Sequence, residues 1–291
     1  MSFHIAVASG KGGTGKTTVA SNLFRYLSRK GNTRVVLVDC DVEEPNAVLF
    51  FPGAKESGHS VVNQEIPVID SSKCIFCRKC ADYCEFNAIV VIPPVKFAEV
   101  NPSLCHSCGA CLVACESDAI RVKEKEVGMV RKYETDNGTS IVEGILSIGS
   151  PMQTMVIRSL KRLIGKDHDI VILDAPPGTS CPVVETVSDA DYVVLVSEPT
   201  PFGLHDLHLM VRLVREIKKP FGVIINKAGL GNQEIYEYLE KENINLLGEI
   251  PFSKIYASQY AGGQLFKNTP VEIEEAYHDV LDKITDRMTA R

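Results

Sequence analysis

Residues able to do chemistry crowd into two places in this 291-residue chain. Near the start, Gly10-Lys11-Gly12-Gly13-Thr14-Gly15-Lys16-Thr17-Thr18 follows the apolar run Ile5–Ala8 and opens a helical pattern. It contains G-x-x-x-x-G-K-T in the strand-to-helix setting where such a loop wraps phosphate. The glycines let successive backbone N–H groups turn inward around phosphate oxygens, and the helix N-terminus adds partial positive charge. Lys16 is placed for the β- and γ-phosphates and the Thr17 hydroxyl for Mg²⁺. The second place is a run of sulfur, with eight of the ten cysteines between Cys74 and Cys115.

Those eight fall as Cys74-x₂-Cys77-x₂-Cys80-x₃-Cys84 and Cys105-x₂-Cys108-x₂-Cys111-x₃-Cys115. This is the bacterial ferredoxin spacing, in which three thiolates wrap one four-iron cube and the fourth reaches the neighbouring cube. One [4Fe–4S] cluster is expected on Cys74, Cys77, Cys80 and Cys115, the other on Cys105, Cys108, Cys111 and Cys84. Zinc is the alternative, but zinc favours two CxxC pairs separated by a longer loop. Glu85 and Glu116 stand where proline usually follows the fourth cysteine. An ionised carboxylate there favours the oxidised cluster. His106, inside a CxxC, is read as a solvated turn residue because the ligand count is already complete.

The elements that must position these groups follow from pattern. Val35–Asp39, Ile170–Asp174, Tyr192–Ser197 and Phe221–Asn226 are short apolar, β-branched runs, as in buried parallel strands. Helical patterns cover Thr17–Lys30, Gln153–Leu163, Leu204–Lys218 and Glu234–Asn243. The alternation predicts an α/β fold with a doubly wound, mostly parallel sheet. Residues 65–125 break it with an internal repeat, Cys-Glu-Phe-Asn-Ala-Ile answered by Cys-Glu-Ser-Asp-Ala-Ile. We therefore expect a discontinuous phosphate-binding domain, 1–62 and 127–291, and an inserted small α+β ferredoxin-like domain, 63–126. Gly53–Ser60 and Lys132–Thr139 read as flexible joints.

A net charge of −6 argues against nucleic acid as a partner. No apolar run approaches the roughly 20 residues of a membrane helix, and no export signal is expected at the start. Clustered cysteines without an export signal read as metal ligands in a reducing compartment, so a cytoplasmic protein is expected. Val271–Arg291 sets Ile273, Tyr277, Val280, Leu281, Ile284 and Met288 at helical spacing. Its polar face is acidic, which suits packing on its own domain better than membrane targeting.

The loop Lys11-Gly-Gly-Thr-Gly-Lys-Thr-Thr18 with the inserted cysteine repeat resembles MinD/ParA-superfamily deviant P-loop ATPases that carry a 2[4Fe–4S] ferredoxin domain. The likeness spans nearly the whole chain, including Val142-Glu-Gly144 and Val196-Ser-Glu-Pro-Thr-Pro201. It implies an ATP-dependent homodimer in which Lys11 reaches the partner's nucleotide. It also implies that Asp41 orients the attacking water, with Asp39 as understudy. By the same likeness Asp174, after the strand Ile170–Leu173, holds Mg²⁺ through water, and Gly178 lies on a switch loop. Asn226 would contact adenine, flanked by Pro251. No Asp lies three residues after Asn226, which favours ATP over GTP. Cys181 sits at a remove from Asp174 similar to that of a cluster-bridging cysteine in the nitrogenase iron protein. A small buried thiol is the default reading for it, and Cys40 is the only other spare sulfur.

Three functions stay open. ATP-gated electron transfer through two clusters comes first, because closed four-thiolate sites retain clusters. An iron–sulfur or metal-cofactor assembly ATPase is the alternative. A positioning ATPase with structural clusters comes last. The partner is accordingly a redox or cofactor-assembly protein.

Overall fold

The computed structural model describes residues 2–29, 33–136, 138–165 and 167–289. In chain order the elements begin with β1 (Phe3–Ala8), α1 (Lys16–Leu27), β2 (Val35–Asp39) and β3 (Lys55–Ile69). Then come α2 (Lys79–Asp82), β4 (Ile89–Ile92), β5 (Phe97–Val100), α3 (Ala110–Ala114), β6 (Ile120–Glu134) and β7 (Ser140–Leu146). The rest alternates: α4 (Gln153–Leu163), β8 (Ile170–Asp174), α5 (Cys181–Val187), β9 (Tyr192–Ser197), α6 (Pro201–Glu216) and β10 (Phe221–Ala228). Last are α7 (Glu234–Lys241), β11 (Leu246–Pro251), α8 (Lys254–Ala261) and α9 (Val271–Thr289).

The chain divides into two compact units, one of residues 1–60, 130–145 and 153–291, the other of residues 61–129 and 146–152. Strands β3 and β6 contribute residues to both. The sheet order is β11-β10-β9-β1-β8-β2-β7-β6-β3. In the first unit β1 lies between β8 and β9, parallel to both, with Phe3 opposite Ile170 and Ile5 opposite Tyr192. The runs β2, β8 and β9 are buried along their whole length, because helices cover both faces of a parallel sheet. Side chains such as Leu23 from α1, Leu37 from β2 and Ile172 from β8 share one core. The same core takes in Ile273, Tyr277, Val280, Leu281 and Ile284 of α9, so that helix packs on its own unit. Gly248 of β11 makes room for it: a Cβ there would lie 2.6 Å from Val280 Cγ2.

Several boundaries differ from expectation. Helix α1 ends at Leu27, and the predicted last residue, Lys30, lies outside the described residues. Helix α6 starts at Pro201 because the Thr200 hydroxyl caps it, accepting from Gly203 N at 3.0 Å. Much of the predicted joints is strand, with 55–60 in β3 and 132–134 in β6, and Thr135 and Thr139 are joined by backbone and hydroxyl hydrogen bonds. Residue 137 of the second predicted joint lies outside the described residues. Residues 55–59 are exposed and polar, so their strand leaves no hydrophobic alternation to read.

In the second unit β4 and β5 pair antiparallel, Ile89 opposite Val100 and Ile92 opposite Phe97. The sequence repeat is reproduced in the backbone. Phe76 and Ser107 (φ 54°), Arg78 and Gly109 (φ 69° and 77°), and Asn87 and Asp118 (φ 51° and 49°) adopt matching left-handed conformations. Such conformations in non-glycine residues persist where the surroundings impose them.

Candidate functional site

The phosphate loop joins the buried end of β1 to α1, whose N-cap Gly15 needs its left-handed φ of 97°. A cavity of about 390 Å³ opens over it, with Gly12, Gly13, Gly15, Lys16, Thr17 and Thr18 on its floor. Asp41, Asn226 and Pro251 stand on the same wall. Gly10, Lys11, Thr14, Asp174 and Gly178 lie off that lining. Gly10 packs under α6, where a Cβ would meet Asp206 at 2.6 Å. Gly178 N donates to Ser9 O at 3.1 Å, tying the loop after β8 to the end of β1.

Three carboxyls surround one ammonium. Burial lowers the Lys16 pKa, opposed by Asp174, Asp41 and Asp39. Asp39 is fully buried and pushed up to about 7 by desolvation, although its oxygens accept from the backbone N–H groups of Ala47, Asn46 and Asp41. Those bonds make Asp39 the anchor of the loop that carries Asp41. Asp41 itself faces the cavity, its pKa raised by partial burial and held back by Lys16. Asp174 is raised by burial and by Asp39, while the Thr17 hydroxyl and Lys16 pull the other way. Neither of its oxygens has a well-formed hydrogen bond among the described residues, and neither does the buried Thr14 Oγ1. Unpaired buried oxygens beside the Thr17 hydroxyl fit a hydrated Mg²⁺, which would neutralise them and offset their desolvation.

Sequence reasoning missed two parts of this site. Glu198 takes Lys11 Nζ at 2.5 Å and Lys227 Nζ at 2.9 Å, and Lys227 also donates to Gly13 O at 2.9 Å. Glu198 lies in the quoted Ser-Glu-Pro-Thr segment, but nothing in the chain pattern pairs it with residue 11. The second part is α8, whose Tyr256 and Tyr260 line the cavity. Their i, i+4 spacing after the capping Ser253 was the available signal. Asn226 is tied to the phosphate loop, its Nδ2 donating to Thr14 O at 2.7 Å.

The spare thiols part company. Cys40 is fully buried, and desolvation lifts its thiol pKa, so it is an inert sulfur. Cys181 is exposed, contrary to the buried thiol expected of it. Helix α5 turns Val183, Thr186 and Val187 inward, which leaves its first residue outside.

In the second unit Cys74, Cys77, Cys80 and Cys115 line one hollow and Cys84, Cys105, Cys108 and Cys111 line another. Backbone N–H groups point at the sulfurs in matching pairs. Phe76 N and Ser107 N lie 3.4 Å from Cys74 and Cys105 Sγ, and Ala88 N and Ala119 N lie 3.3 Å from Cys84 and Cys115 Sγ. Burial raises the Cys115 pKa, but the Ala119 and Ser117 donors outweigh it and the net shift is downward. Among the described residues no three His, Cys, Asp or Glu gather closely enough for a single metal ion. His106 is exposed and stacks on Phe86 at 3.9 Å, and both line the second hollow.

Residues 5–266 match the family model described as the CobQ/CobB/MinD/ParA nucleotide binding domain. An uncharacterized protein of Methanocaldococcus jannaschii is 31% identical over 266 residues, 90% of each chain. The iron-sulfur cluster carrier protein of Pyrococcus furiosus is 25% identical over 310 aligned positions, 98% of this chain and 86% of that one. The crystal structure of the Pyrococcus furiosus cell division ATPase MinD superposes with a TM-score of 0.60 at 17% identity, covering 98% of this chain and 99% of that one. No helix among the described residues is long and apolar enough to cross a membrane. With its phosphate loop, buried carboxyls and parallel sheet, the chain belongs to the CobQ/CobB/MinD/ParA nucleotide-binding family and is a P-loop ATPase.

Proposed function

We propose that this ATPase handles iron–sulfur clusters, holding two [4Fe–4S] cubes and using Mg-ATP to control their delivery to an acceptor protein. The observation that carries the reading is the sorting of eight thiols into two fours, each around its own hollow with N–H donors aimed at the sulfurs. Donors of that kind stabilise a negatively charged cluster and tune its potential. Likeness to a cluster carrier protein puts delivery first. The closed four-thiol hollows favour a second reading, ATP-gated electron transfer, in which the cubes stay in place.

In both readings Mg-ATP draws two chains together, Lys11 leaves Glu198 for the partner's nucleotide, and Asp41 orients the attacking water. Asp174 and Thr17 hold Mg²⁺, and Asn226 and Pro251 flank adenine. The inserted domain, residues 63–126, carries the cubes. One experiment tests these roles: anaerobically loaded protein is mixed with an apo-acceptor, with and without Mg-ATP, and followed by EPR. Transfer that requires ATP supports delivery. Clusters that stay but become reducible only with ATP support gating, and protein that takes up neither iron nor sulfide ends both readings.

A further inference from the structure

Where α1 meets α9, a cavity of about 110 Å³ is lined by Asn22, which does not line the cavity over the phosphate loop. Arg25 and Arg29 of α1 line it together with Thr269, Glu274 and Tyr277. Its chemistry is lopsided, with two guanidiniums against a single carboxylate. Neither guanidinium forms an ion pair among the described residues. Arg25 is held over the Phe266 ring at 4.5 Å and makes one long bond, 3.4 Å, to Phe266 O. Burial and the neighbouring Arg29 both disfavour its charge, only partly offset by Glu274.

The hydroxyls add to the imbalance. Thr269 Oγ1 and Tyr277 OH are buried without a well-formed hydrogen bond. Burial and the neighbouring Tyr256 hydroxyl, toward which its proton is directed, raise the Tyr277 pKa. The Asn22 amide nitrogen is spent on Thr18 O and Tyr256 OH, each at 2.7 Å, which leaves its oxygen as an acceptor. Arginine presents five donors and no acceptor, so the two guanidiniums bring more donors than the Glu274 carboxylate and the Asn22 oxygen can receive. Buried donors without partners are costly, and such sites are completed by a ligand or ordered water.

We propose that this cavity is a second ligand site, built for a small oxyanion such as phosphate or a carboxylate and separate from the phosphate loop. The volume suits it, equalling roughly three or four waters. The planar forks of Arg25 and Arg29 match an oxyanion's geometry.

The test is calorimetric titration of inorganic phosphate, and in a second arm acetate, into the full chain. The phosphate loop is first filled with a non-hydrolysable ATP analogue and Mg²⁺, so that only the second cavity can respond. Saturable binding of one anion per chain is expected, with the arms telling phosphate from carboxylate. Arg29→Gln, at an exposed position that leaves the core intact, should weaken it by about tenfold or more, as should Arg25→Gln. No saturable uptake of either anion overturns the site, as does binding that both variants retain at full strength.

Discussion

Lys16 stands among Asp39, Asp41 and Asp174, and the balance of those four charges sets what single substitutions do. Lys16→Ala should weaken nucleotide binding by at least about tenfold, as read by calorimetry, because it removes a buried charge-assisted donor. Asp41→Ala should slow hydrolysis while leaving nucleotide affinity nearly unchanged, read by turnover and binding on the same protein. The raised carboxyls also make stability depend on pH. An unfolded Asp titrates near ~3.9, whereas Asp39 in the fold titrates at about 7 and Asp174 is shifted the same way. Across that window the folded chain binds more protons than the unfolded one, so the nucleotide-free protein loses stability as pH rises toward 7. Asp174→Asn should flatten this decline and stabilise the empty protein by about 1–3 kcal/mol. Thermal melts at several pH values, wild type against variant, check it, and equal slopes would contradict the assignment.

Helix α9 shows what element-scale packing contributes. Ile284→Ala removes a fully buried side chain from its inner face and should cost about 2–5 kcal/mol by denaturant melts. Ser253→Ala at the N-cap of α8 should cost about 1 kcal/mol. The α9 face was legible because its apolar residues recur at helical spacing, and β2, β8 and β9 were legible as continuous apolar runs. The exposed part of β3 was not, since a strand with polar side chains carries no periodic signal. Within the site, the phosphate loop is local in sequence and could be read whole. Glu198 could not, because its pairing with Lys11 spans 187 residues and depends on how the sheet closes. The exposure of Cys181 was likewise hidden until the inward face of α5 was known.

At the scale of the whole chain, the two hollows make separable predictions about iron. Under the proposed function, Cys108→Ser should lower bound iron by about half while Cys74 and its three companions keep their cube. Iron and sulfide assays on anaerobic protein check this, and complete loss from one substitution would show the cubes to be interdependent. The units are woven from non-adjacent stretches of chain, and that has a consequence for how the protein comes into being. The phosphate loop is made long before its surroundings, for β1 gains its neighbours only with residues 170–197. At roughly 5–20 residues per second, the nascent strand waits about eight to forty seconds for them. Asn226 then clasps Thr14 across 212 residues. Nucleotide capture therefore waits until residue 226 and the strands beside β1 have been made.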